Sequence, residues 1–136
     1  MFVKYEIIMA NSKDVPFDEK LAAVKNAISV FTKLHEAKEF KEEGSKFFKD
    51  GHYVKAIFTY RKIFDILDFE SIKPYVLADD KQAESKALVI AGGLNISLCW
   101  MKLKQWKRAK AMCSRILEMD RDVVKAWYRR GKYLST

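Results

Sequence analysis

Two pairs of side chains, each pair four residues apart, have the types and spacing of an anion-binding device. Lys41 and Ser45 form one i,i+4 pair and Lys125 and Arg129 the other, so each pair shares a face wherever its segment is helical. Ammonium and guanidinium groups make charge-assisted hydrogen bonds to carboxylates, about 1.5–3 kcal/mol each. The charge balance points the same way: 26 Lys and Arg against 18 Asp and Glu give a net charge of +8. Such a chain attracts acidic peptides, nucleic acid or a membrane surface. The basic residues are spread along helical faces, denser at 102–110 and 125–132, and not gathered in one block. That weakens the nucleic-acid reading.

Other reactive side chains read as structural. His35 and His52 have no Ser, Cys or carboxylate constellation around them, and Cys99 and Cys113 sit among core-type neighbours without CxxC spacing. Asp79-Asp80 and Asp120-Arg-Asp122 precede helical segments, where the dipole favours carboxylates, so they are caps and not catalytic dyads. There is no phosphate loop and no GxGxxG. No catalytic residue, cofactor or metal is expected. No apolar run approaches the ~18 residues that cross a bilayer. Lys4 and Glu6 interrupt the opening apolar run, against a secretory signal. Two cysteines without a pairing or metal-site pattern suggest a reducing compartment, the cytoplasm or the nucleus.

The elements that position these residues are helices. With 5 Gly, 2 Pro and 49% hydrophobic residues, the chain has the composition of a helical domain with a buried core. Phe2–Met9 is rich in β-branched and aromatic residues and reads as a single strand. Asp14 or Asp18 is placed to cap a helix near Pro16, and Leu21, Val24, Ile28, Phe31 and Leu34 recur at helical spacing. Ala37–Lys49 continues helically to the stop at Asp50-Gly51. The next helix carries Val54, Ile57, Phe58, Phe64 and Leu67 on its expected apolar side, and Ser71–Asp80, with Pro74, interrupts. Further helices follow from about Lys81 to Leu103, over Trp106–Met119, and from Val123 onward. The expectation is six helices and one strand.

An internal repeat organises them. Phe40-x-x-Glu43-Gly44-x-x-Phe47 is followed by Ala56-x-x-x-Tyr60, and Gly93-x-x-Ile96-Ser97-x-x-Trp100 by Ala109-x-x-x-Cys113. Trp127-x-x-Arg130-Gly131-x-x-Leu134 opens a third copy. Gly44 to Ala56 and Ser97 to Ala109 are both 12 apart, and Ser97 to Gly131 is 34. Thirty-four residues is the tetratricopeptide-repeat (TPR) period. The expected fold class is therefore all-α, a TPR α-solenoid of helix-turn-helix hairpins.

Within that register, Lys41-Glu-Glu-Gly-Ser-Lys-Phe-Phe-Lys49, Leu94-Asn-Ile-Ser-Leu-Cys-Trp-Met-Lys-Leu103 and Lys125-Ala-Trp-Tyr-Arg-Arg-Gly131 resemble the C-terminal TPR domain of the large FKBP-type immunophilins. The resemblance covers residues 36–134 and extends more loosely to Phe2–Met9, similar to the last strand of an FK506-binding-type domain. It implies a remnant strand and linker over 1–14 and a TPR domain over 15–136. Repeat one spans about 37–70, repeat two about 81–120, and the first helix of repeat three 123–134. It also implies a co-chaperone that is not itself an enzyme. Its groove would hold the Glu-Glu-Val-Asp C-terminus of heat-shock protein 90, and in some TPR proteins that of heat-shock protein 70.

The family's carboxylate clamp falls on Lys41, Ser45, Asn95, Lys125 and Arg129, with Ser45 where an Asn is usual. Phe48 is read both as packing and as a groove contact beside the ligand's Val. Phe47, Trp100 and Trp127 are read as packing. Val124, Trp127 and Leu134 face a partner helix missing from the third repeat, which predicts self-association there. The rival reading is a TPR scaffold for another protein, such as a client or an RNA-silencing factor, without a clamp.

Overall fold

The computed structural model of the chain describes residues 13–67 and 79–134. Phe2–Met9, read as a strand, and the interruption over 71–78 lie outside the described residues. Five helices occupy the described parts: α1 (Phe17–Lys49), α2 (Tyr53–Ile66), α3 (Asp79–Lys102), α4 (Trp106–Met119) and α5 (Val124–Leu134). Each packs on the next, and α1 also touches α3, as neighbouring first helices of a solenoid do.

The first helix is one rod of 33 residues where the sequence pattern gave two segments. Nothing between Leu34 and Ala37 breaks it, since His35 and Glu36 supply neither Gly nor Pro. Its start also differs from expectation. The N-cap position is Pro16, with no side-chain cap, while Asp18 and Glu19 lie inside the first turn.

Both hairpin turns use the same device. At the end of α1 the Gly51 N–H donates to Phe48 O at 3.1 Å and the His52 N–H to Phe47 O at 2.9 Å. At the end of α3 the Lys104 N–H donates to Met101 O at 2.9 Å and the Gln105 N–H to Trp100 O at 2.9 Å. This pair of bonds satisfies the last carbonyls and requires a left-handed residue, here Gly51 at φ 80° and Lys104 at φ 58°.

The apolar faces are partly rotated from those the pattern suggested: Leu34, Ile57 and Leu67 are buried as expected, and other members of the pattern are not. On α1 the buried residues are Ala27, Val30, Leu34 and Ala37, whereas Leu21, Ile28 and Phe31 are exposed. On α2, Val54 and Phe58 are exposed and the buried set is Ala56, Ile57, Thr59, Tyr60 and Ile63. The reason is close approach. Ala56 is fully buried, and Gly44 on α1 leaves room for the Tyr60 ring, whose atoms come within 2.7 Å of where a Cβ would stand. Small residues thus choose the seam, and the larger Val54 and Phe58 are turned outward.

Two core clusters result. One runs from Val30 and Leu34 through Tyr60 and Ile63 to Ile96 and Cys99; the other joins Ala109, Cys113, Ile116 and Leu117 to Ala126. Burial holds the Cys99 thiol up at about 11 and also raises Cys113. Both thiols are therefore inert core groups. Gly93 lets Ile116 approach to within 3.0 Å of a would-be Cβ, seating α4 on α3.

Candidate functional site

One stripe of α1 builds a basic cleft. Lys38, Lys41, Glu42, Ser45, Lys46 and Lys49 fall at helical spacing on one side and, with Leu88 of α3, line an open cleft of about 570 Å³. Lys38 is already paired with Glu84, which also takes Lys81 at 3.2 Å. Lys38 is the first cause holding the Glu84 carboxyl below its ordinary value, against the opposing effect of burial. Among the described residues no carboxylate pairs with Lys41, Lys46 or Lys49, so these ammonium groups are free for an anion.

From the floor of that stripe a line of polar groups crosses the helices. The Ser45 hydroxyl donates to Lys41 O at 2.9 Å and lies 3.1 Å from the Tyr60 hydroxyl. Burial raises the Tyr60 phenol, and hydrogen bonds with Ser45 and Asn95 work against that rise. Tyr60 on α2 therefore stands between Ser45 of α1, which its hydroxyl meets, and Asn95 of α3. One residue before Asn95, Leu94 O accepts from Arg129 Nη1 of α5 at 2.7 Å and from Ser97 Oγ at 2.7 Å. Arg129 Nη1 also reaches Ser97 Oγ at 3.3 Å. These contacts anchor one edge of the guanidinium and leave its other N–H groups for a ligand.

The sequence-read residues thus fall as follows. Lys41 and Ser45 share the cleft, Asn95 lies beside Tyr60 and is not among the cleft-lining residues, and Arg129 abuts the same turn of α3 as Asn95. Lys125 stands one turn before Arg129 on α5 and is exposed. Phe48 is not among the cleft-lining residues; its ring meets Tyr53 edge-on at 5.4 Å and packs against the core. Trp127, read as packing, is 48% exposed and donates its indole N–H to Arg121 O at 2.6 Å.

Sequence reasoning missed Tyr60 and the extra lysines. Extending the i,i+3 and i,i+4 spacing from Lys41 reaches Lys38, Ser45 and Lys49, so that signal was present. Tyr60 carried no signal beyond its place in the repeat, because its role depends on two other helices. No group of His, Cys, Asp or Glu among the described residues is placed to hold a metal ion. No described helix is long and apolar enough to cross a membrane.

No family model matches the chain. It is 34% identical over 100 residues to peptidyl-prolyl cis-trans isomerase FKBP4 of Bos taurus, across 74% of this chain and 21% of that protein. It is 36% identical over 100 residues to FK506-binding protein 59 of Drosophila melanogaster, with the same coverage of each. The chain therefore spans about a fifth of the length of these relatives. Its fold is similar to the C-terminal TPR-containing domain of an FK506-binding protein of Plasmodium falciparum, with a TM-score of 0.63 and 30% identity. That likeness covers 74% of this chain and 65% of that one. The matched part is the helical repeat region and not the isomerase domain.

Proposed function

We propose that this chain, a TPR domain of the FKBP-type immunophilin family, is a co-chaperone module that clamps the acidic C-terminal tail of heat-shock protein 90. Lys41, Lys125 and Arg129 supply the charged donors and Asn95 a carboxamide. The tail is of the Glu-Glu-Val-Asp type, and that of heat-shock protein 70 is a second candidate. The observation that supports the reading is the line of residues from Lys41 and Ser45 past Tyr60 and Asn95 to Arg129, in which Ser45 meets the Tyr60 hydroxyl and Arg129 is held on the Leu94 carbonyl beside Asn95. A terminal Asp carries two carboxylates, and this line offers donors of matching charge from three helices. Ser45 has its hydroxyl bound to Lys41 O and Tyr60, so it orients the site and leaves direct contact to its neighbours. After ordering costs, a net of about −8 kcal/mol corresponds to micromolar affinity.

Calorimetric titration with a Glu-Glu-Val-Asp peptide, as free acid and as C-terminal amide, tests this. The free acid should bind at least tenfold more tightly. Equal binding of the two would replace the clamp by the scaffold reading, which the exposed Val124 and Tyr128 of α5 would then serve.

A further inference from the structure

The first half of α1 carries an apolar seam that the other described helices do not cover. Phe17, Leu21, Val24, Ile28 and Phe31 succeed one another at intervals of 4, 3, 4 and 3. Phe17 is 75% exposed, Leu21 41%, Ile28 49% and Phe31 49%, while Val24 is half-buried. The fold buries a different face of the same stretch, through Ala27, Val30 and Leu34. The hairpin partner is too short to change this: α2 has 14 residues, about 21 Å, against 33 residues, about 50 Å, for α1. Alternation of 4 and 3 is the spacing that keeps apolar side chains on the contact line between two helices.

We propose that a second copy of this chain docks on this seam, with the two α1 helices antiparallel. Two features of the sequence favour a second copy. First, the intervals 4, 3, 4 from Phe17 to Ile28 read the same in either direction. A two-fold axis therefore sets Phe17 against the partner's Ile28 and Leu21 against the partner's Val24, and repeats both contacts. Phe31 continues the spacing one step beyond the last paired layer.

Second, the flanking charges match only in that direction. Asp18 and Lys25, both exposed and in no ion pair among the described residues, each meet the other's counterpart across the antiparallel seam. Lys20 then lies near the partner's Ala27 without repulsion. A parallel pair would instead oppose Lys20 to the partner's Lys25, which disfavours it. Two isolated peptides of this length would be marginal helices. Here the hairpins already hold α1 helical, so pairing carries no nucleation cost. The surface is separate from the Lys41 cleft, and the proposal stands or falls independently of the peptide reading.

Sedimentation equilibrium of the 136-residue chain across the micromolar range is the test. A reversible dimer is expected, weakened at least tenfold by Ile28→Glu, with helical circular dichroism unchanged because Ile28 lies outside the core. Asp18→Lys and Lys25→Asp should each weaken it, and the double exchange should restore it. A monomer at every concentration overturns the proposal. So does a dimer indifferent to Ile28→Glu but lost on Trp127→Ala, which would put the contact on α5. Failure of the double exchange to restore pairing overturns the antiparallel register.

Discussion

The two complete hairpins, α1–α2 and α3–α4, are the same structure written with different side chains. Equivalent positions lie 53 residues apart: Gly44 and Ser97, Gly51 and Lys104, Ala56 and Ala109, Tyr60 and Cys113. Lys55 lies over the Phe47 ring and Arg108 over the Trp100 ring, again in register. What differs is how the small position is used. In the first hairpin Gly44 admits a large partner, Tyr60, whose hydroxyl reaches the cleft-lining Ser45. In the second, Ser97 faces the smaller Cys113, and its hydroxyl turns to Leu94 O and Arg129. The same geometric slot thus makes a polar link towards α1 in one repeat and towards α5 in the other. The repeat supplies the frame, and the substitutions within it connect the site.

Four changes sharpen or break this comparison. The largest effect concerns Cys99, whose folded thiol stands at about 11 against an ordinary value of 9.0. A raised folded value means stability complete below the unfolded pKa and lost as pH rises through the folded one. At most about 3 kcal/mol should therefore disappear between pH ~9 and ~11. The Tm difference between wild type and Cys99→Ala should narrow over that window; a constant difference would contradict it. Next, Gly44→Ala drives a methyl into the buried Tyr60 ring and should cost about 2 kcal/mol by urea denaturation. A neutral result would mean that Gly44 does not set the α1–α2 distance.

Much of the fold was legible because it is local. The stop at Asp50-Gly51, the break between Leu103 and Trp106 and the span Trp106–Met119 each follow from neighbouring residues. The buried faces of α1 and α2 were not, since periodicity alone cannot say whether Ala56 or Val54 meets the neighbouring helix. The site divides in the same way. Lys41, Ser45, Lys125 and Arg129 follow from the family resemblance laid on the repeat register, with i,i+4 spacing giving each pair a shared face, whereas the Ser45–Tyr60 contact exists only once α1 and α2 are assembled.

Two smaller effects complete the series. Lys104 holds the left-handed turn position that Gly51 fills in the first hairpin, so Lys104→Gly should stabilise the chain by about 1 kcal/mol in thermal denaturation. Destabilisation would show that the two turns are not equivalent. Gly131, at the third small position, has nothing within 4 Å of a would-be Cβ. Gly131→Ala should therefore gain about 0.5–1 kcal/mol from helix propensity alone, opposite in sign to the same change at Gly44.

The central claim is that the line from Lys41 to Arg129 holds a terminal carboxylate, and calorimetry on two variants tests it most directly. Lys41→Ala and Arg129→Ala should each weaken a Glu-Glu-Val-Asp peptide at least tenfold, about 1.4 kcal/mol, because a desolvated carboxylate loses a charged donor. Moderate salt should weaken the wild-type complex only modestly, since few charges are involved. If both variants bind the peptide as tightly as wild type with helical content unchanged, the groove is not a carboxylate clamp.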